Sequence, residues 1–98
     1  MILEDVRLNA VIFEQKDGKK LYGFTIKDNY SYVFYDGMTK NQFDLENLVF
    51  FKYIYDEVND LGDDSNESLH EIFQCALDNG IYINGEYFDD IELNKIIK

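Results

Sequence analysis

The stretch Asp44-Leu45-Glu46-Asn47-Leu48-Val49-Phe50-Phe51-Lys52-Tyr53-Ile54-Tyr55-Asp56-Glu57-Val58-Asn59-Asp60-Leu61 decides the fold, because it reads two ways. Its centre, Val49 to Tyr55, has the β-branched and aromatic composition of a strand. Yet Leu48, Phe51, Tyr55 and Val58 recur at helical 3-4-3 spacing, with Asp44 as candidate N-cap and Gly62 just past the end. Strands usually run about 4–8 residues, and this pattern is far longer. Length selects a helix over residues 44–61.

Upstream of that helix the period is two. Val6 to Phe13 alternates, placing Val6, Leu8, Ala10 and Ile12 on one face of a strand. Asp17-Gly18 supplies a tight hairpin turn with both residues at positive φ. Leu21 to Lys27 follows, with Tyr22, Phe24 and Ile26 on one face. Asp28-Asn29 makes a second turn, Tyr30 to Tyr35 a third strand, and Asp36-Gly37 ends it. Three strands joined by short turns form an antiparallel meander.

Downstream, Ser65 or Asn66 caps a second helix. Leu69, Ile72, Phe73, Ala76 and Leu77 form its apolar stripe, and Gly80 stops it. Ile81 to Phe88 folds as a hairpin about Asn84-Gly85. Asp89 or Asp90 opens a short terminal helix carrying Ile91, Ile96 and Ile97. The order β-β-β-α-α-β-β-α describes a single α+β domain over residues 1–98: a three-stranded antiparallel N-terminal meander, two helices, a short hairpin and a short C-terminal helix.

Composition narrows the function classes. The 98 residues include 9 Lys+Arg and 20 Asp+Glu, a formal charge of −11, with 46% hydrophobic and 16% aromatic content. That is too apolar for a disordered acidic tail. No apolar run approaches the ~18 residues of a membrane span. Met1-Ile2-Leu3-Glu4-Asp5 lacks the basic start and apolar run of a signal peptide, so a cytoplasmic location is expected. A lone cysteine, Cys75, excludes a disulfide framework. Asn, Lys, Ile and Tyr total 35 residues, while Pro and Trp are absent, Arg occurs once and Ala twice. This bias toward A/T-rich codons points to a low-GC bacterium, its phage or its mobile elements.

No constellation for catalysis or metal binding emerges. His70 is the only histidine, which removes a His pair for metal, and its place beside the apolar stripe fits a partly exposed surface residue. Cys75 lies mid-helix, away from any basic neighbour that would lower its pKa, and reads as a small buried hydrophobe. The loop Asp60-Leu61-Gly62-Asp63-Asp64-Ser65-Asn66-Glu67 invites a calcium reading. Aligning Gly62 with the EF-hand glycine, however, places Leu61 at a ligand position and Ser68 where a carboxylate is required. A solvated helix–helix connection explains it better. The glycines are dispersed and match no phosphate-binding fingerprint. No metal, cofactor or catalytic group is expected, and an enzyme is disfavoured. A polyanion of −11 would also repel nucleic acid, so direct binding is not expected.

The charge is uneven. Residues 1–52 hold 7 basic and 8 acidic side chains, a net of −1, whereas residues 53–98 hold 2 and 12, a net of −10. No Lys or Arg lies between Tyr53 and Asn94. Residues three or four apart on a helix are neighbours, with Cβ atoms ~5–6 Å apart. Asp56 with Asp60, Asp60 with Asp63 or Asp64, and Glu67 with Glu71 stand in that relation. Such carboxylates echo the spaced charges of a nucleic-acid backbone and would be steered to a basic groove.

In small size, extreme acidity, mixed α/β character and AT-rich coding, the chain resembles phage-encoded DNA-mimic inhibitors, among them anti-restriction and anti-CRISPR proteins. The resemblance rests on overall character rather than on a motif, and it carries over no functional residue. It implies a non-enzymatic inhibitor in the bacterial cytoplasm whose partner is the basic surface of a nucleic-acid-binding protein or nuclease. An immunity or antitoxin-like protein that neutralises a cationic toxin nuclease has the same charge logic. A third alternative is an acidic interaction module, with a homodimer formed through its aromatic strands.

Overall fold

The computed structural model describes residues 7–27, 32–60 and 67–97; for Lys27, residues 32–36 and residues 67–69 only the backbone is described. Strands β1 (Arg7–Glu14), β2 (Lys20–Lys27) and β3 (Tyr32–Met38) form the expected antiparallel meander. Helices α1 (Lys40–Phe43), α2 (Asn47–Asp60) and α3 (Glu67–Asn79) follow, then β4 (Ile81–Ile83), β5 (Glu86–Phe88) and α4 (Asp90–Ile97). The α+β class is as the sequence indicates. The C-terminal hairpin joins the same sheet, however. β4 pairs parallel with β1 through Arg7–Tyr82 and Leu8–Ile83, giving the order β3-β2-β1-β4-β5.

Cross-strand partners share a face in an antiparallel pair. Leu8 opposite Ile26 and Ala10 opposite Phe24 therefore point the same way. This inner face is covered by the helices. Leu8, Phe50, Phe51, Ile54, Ile83 and Leu93 lose all solvent contact at the junction of sheet, α2 and α4. Phe51 stacks on Tyr55 and tilts against Phe73 of α3 at 5.4 Å, so the aromatic run of α2 serves helix packing. On the opposite face, Arg7 lies 4.8 Å from the Tyr82 ring, a cation–π contact on an uncovered surface.

Several local expectations are corrected. Asp44 does not open the long helix; it is the C-cap of α1, which the sequence reading omits. Thr39 and Gln42 cap α1 reciprocally: the Gln42 N–H donates to Thr39 Oγ1 at 3.3 Å and the Thr39 N–H donates to Gln42 Oε1 at 2.9 Å. Asp36-Gly37 does not end β3. Tyr22 pairs with Met38 and Phe24 with Tyr35, so Gly23 faces both residues across a β-bulge and the strand runs on. At the first hairpin only Gly18 has positive φ. The Gly18 N–H bonds the Gln15 carbonyl at 2.9 Å, making the loop a four-residue turn rather than an Asp17-Gly18 pair.

Ile12 lies 51% exposed, since β1 extends beyond the helices that cover Leu8. Ile91 of α4 is 62% exposed, and Leu93 is the buried anchor of that helix. Asn84 and Gly85 both adopt positive φ, as their hairpin requires, and Gly80 ends α3 at φ +90°. Asp89 is the α4 cap, its Oδ1 accepting the Glu92 N–H at 2.9 Å. The Asp28-Asn29 turn, Val6 and the Ser65/Asn66 cap lie outside the described residues.

Candidate functional site

Asp56 and Asp60 stand one turn apart on exposed positions of α2, and Glu71 is exposed on α3. Glu67 is the first residue of α3, placing its backbone one turn before Glu71. Asp63 and Asp64 lie in the connection outside the described residues. The end of α2 and the start of α3 thus bring Asp56, Asp60, Glu67 and Glu71 onto two helices that pack together around Phe51 and Phe73.

This surface is not wholly free of cations. Lys52 Nζ lies 2.9 Å from Asp56 Oδ2, an i,i+4 ion pair entering from just outside the acidic half. The expectation that nothing neutralises these carboxylates therefore fails at Asp56. Asp60 has no such partner among the described residues, and the last turns of α2 and α3 contain no basic residue.

The placement of Asp60 is unfavourable to the helix. The C-terminal end of a helix carries about half a unit of negative charge, and a carboxylate there costs roughly 0.3–1 kcal/mol where a lysine would gain it. The like-charged neighbour Asp56 adds a few tenths of a kcal/mol before Lys52 offsets it. Asp78, in the last turn of α3, stands in the same unfavourable position, though its Oδ1 accepts from Gln74 Nε2 at 3.3 Å. Helix α4 follows the opposite rule: Asp90 and Glu92 occupy its first turn and Lys95 its last. Its acids are explained by helix stability, and at the end of α3 the Gln74 amide offsets Asp78; Asp60 has neither compensation among the described residues.

Other chemistry is sparse. His70 is half-buried on α3, as its place beside the apolar stripe implies. Cys75 is a free thiol, half-buried rather than enclosed in the core. Among the described residues no three His, Cys, Asp or Glu side chains gather as a metal site. Shallow depressions lie against Phe13–Asp17, against Glu46, Asn47 and Glu86, and against Asp90 and Asn94, and none joins a nucleophile to a base. No helix among the described residues is long and apolar enough to cross a membrane. No family model, curated protein or solved structure matches the chain.

Proposed function

We propose that the protein is a non-enzymatic acidic inhibitor that covers the basic nucleic-acid-binding surface of a DNA- or RNA-handling protein. Its contact surface is Asp56, Asp60, Asp63, Asp64, Glu67 and Glu71, and it works in the bacterial cytoplasm as phage-encoded DNA mimics do. The observation that carries this reading is Asp60, an exposed carboxylate held at the negative end of α2 without a cation among the described residues. Acidity kept for solubility alone would be spread where it costs nothing, as the first turn of α4 illustrates. A charge placed against the stability of its own helix calls for a compensating gain, and a cationic partner supplies one. A basic groove would also be approached faster under opposed potentials.

The test is charge reversal. The triple variant Asp60→Lys, Asp63→Lys and Glu67→Lys keeps its fold by circular dichroism and loses capture of the partner from a low-GC bacterial lysate. Full-strength capture by the folded triple variant overturns the proposal.

A further inference from the structure

Asparagine precedes glycine twice, at Asn79-Gly80 and at Asn84-Gly85. Such a pair is chemically labile, because a glycine nitrogen has no side chain beside it to hinder its approach to the asparagine amide carbon. The glycine nitrogen gives up its proton and forms a bond to Cγ. The Cγ–Nδ2 bond breaks, and ammonia leaves with that electron pair and the proton. Water then opens the resulting succinimide ring at either carbonyl. The product is aspartate or, with the main chain rerouted through the side chain, isoaspartate. Either product carries a new negative charge.

The fold treats the two pairs differently. Asn79 is the last residue of α3, and its Nδ2 donates to the Cys75 carbonyl at 3.2 Å. The Gly80 N–H donates to the Ala76 carbonyl at 2.7 Å, which occupies the attacking nitrogen. The Asn79 carbonyl is held too, accepting from the Tyr87 hydroxyl at 3.0 Å. Gly80 is so enclosed that a Cβ there would crowd that hydroxyl and the Phe88 carbonyl. At the second pair, Asn84 and Gly85 are exposed in the β4–β5 turn, and the Gly85 N–H donates to no described residue. The restraint there falls on the asparagine amide. Its Oδ1 accepts from the Ala10 N–H at 2.7 Å, and its Nδ2 donates to Asn47 Oδ1 at 3.0 Å. Ring closure re-aims that amide toward Gly85, so both bonds have to break first.

We infer that Asn84 is the deamidation site of this chain, that docking of the β4–β5 turn controls its rate, and that the reaction loosens the turn irreversibly. Asn84 lies just past the second of the two residue pairs that join β4 to β1. Fraying of the turn therefore frees the amide while Ile81 and Ile83 stay in the core. The product does not restore the junction. An ionised carboxylate only accepts, so the donor to Asn47 Oδ1 is gone. Asn47 Nδ2 already donates to Glu86 Oε1 at 3.0 Å and then faces a second carboxylate. Isoaspartate adds a backbone carbon to a turn whose flanks pair Ile83 with Glu86, and so spoils that register.

Mass spectrometry with peptide mapping tests this on the wild-type chain. In mildly alkaline buffer, folded protein should deamidate at Asn84 at least about tenfold faster than at Asn79. In urea the two sites should react at similar rates, each faster than Asn84 in the folded chain. Asn47→Ala removes one of the two restraints and should speed the reaction at Asn84 about two- to tenfold, the worth of one hydrogen bond, while Asn79 keeps its rate. Modified protein, separated on an anion exchanger by its added charge, should melt below the unmodified chain. Reaction at Asn79 as fast as at Asn84 in folded protein overturns the inference, as does reaction at Asn84 as fast folded as in urea. So does a folded Asn47→Ala with the wild-type rate, or a modified chain as stable as the unmodified one.

Discussion

Asn84 joins three parts of the molecule through one side chain. Its Oδ1 accepts from Ala10 of β1, and its Nδ2 donates to Asn47 Oδ1 at 3.0 Å, while Asn47 Nδ2 donates to Glu86 Oε1 at 3.0 Å. Asn84→Ala leaves the Ala10 N–H without its partner and strains a backbone at φ 49°, so it should destabilise by about 1–3 kcal/mol in urea unfolding. Gly80 is equally constrained. An alanine there would meet the Tyr87 hydroxyl and come within 2.7 Å of the Phe88 carbonyl at φ +90°. Tyr87 itself donates its hydroxyl hydrogen to the Asn79 carbonyl at 3.0 Å, so it cannot simply swing away. Gly80→Ala should cost more than about 1 kcal/mol, measurable by thermal unfolding. Both positions were legible as turn and stop signals, because positive φ is written in Asn-Gly and in a glycine after an apolar stripe. The bonds made by the Asn84 side chain were not legible, since their partners lie far away in sequence.

At the scale of the element, α2 resolves the ambiguity of its own composition. Phe50, Phe51, Ile54 and Val58 are buried at helical spacing, so the aromatic run packs as a helix despite its strand-like content. Tertiary burial outweighs local propensity here, and pattern length was the signal that carried it. Ile54→Ala, at a position without solvent contact, should cost about 2–5 kcal/mol. The beginning of that region was misread because Asp44 suits a cap of either kind, and the Thr39-Lys40-Asn41-Gln42 box that starts α1 spans only one turn. Asp60 makes a prediction with two signs. Asp60→Lys places a cation at the negative end of α2 and should raise stability by about 0.3–1 kcal/mol in low salt. The same change should weaken partner capture. A variant that gains stability and keeps full capture would reduce Asp60 to a surface charge.

Across the whole molecule, the charge divides where the sheet does not, because β4 and β5 of the acidic half join the N-terminal meander. The antiparallel meander was readable from alternation and turns, because its contacts are between neighbours in sequence. The joining of β4 to β1 was not, since only two residue pairs make it and they span most of the chain. Likewise, sequence counts locate the acidic half but cannot show that Lys52 reaches back to Asp56 or that the first-turn acids of α4 serve their own helix. What remains is a surface defined by where the carboxylates stand rather than by how many there are. The most direct measurement compares Asp60→Lys with Asp78→Lys, which change the net charge equally at opposite ends of the helical pair. Each immobilised variant is exposed to low-GC bacterial lysate, and bound protein is eluted with duplex DNA. DNA-displaceable capture should fall tenfold or more, about 1.4 kcal/mol, for Asp60→Lys and stay near wild type for Asp78→Lys. Equal effects of the two reversals, or capture that duplex DNA does not displace, would contradict the assignment.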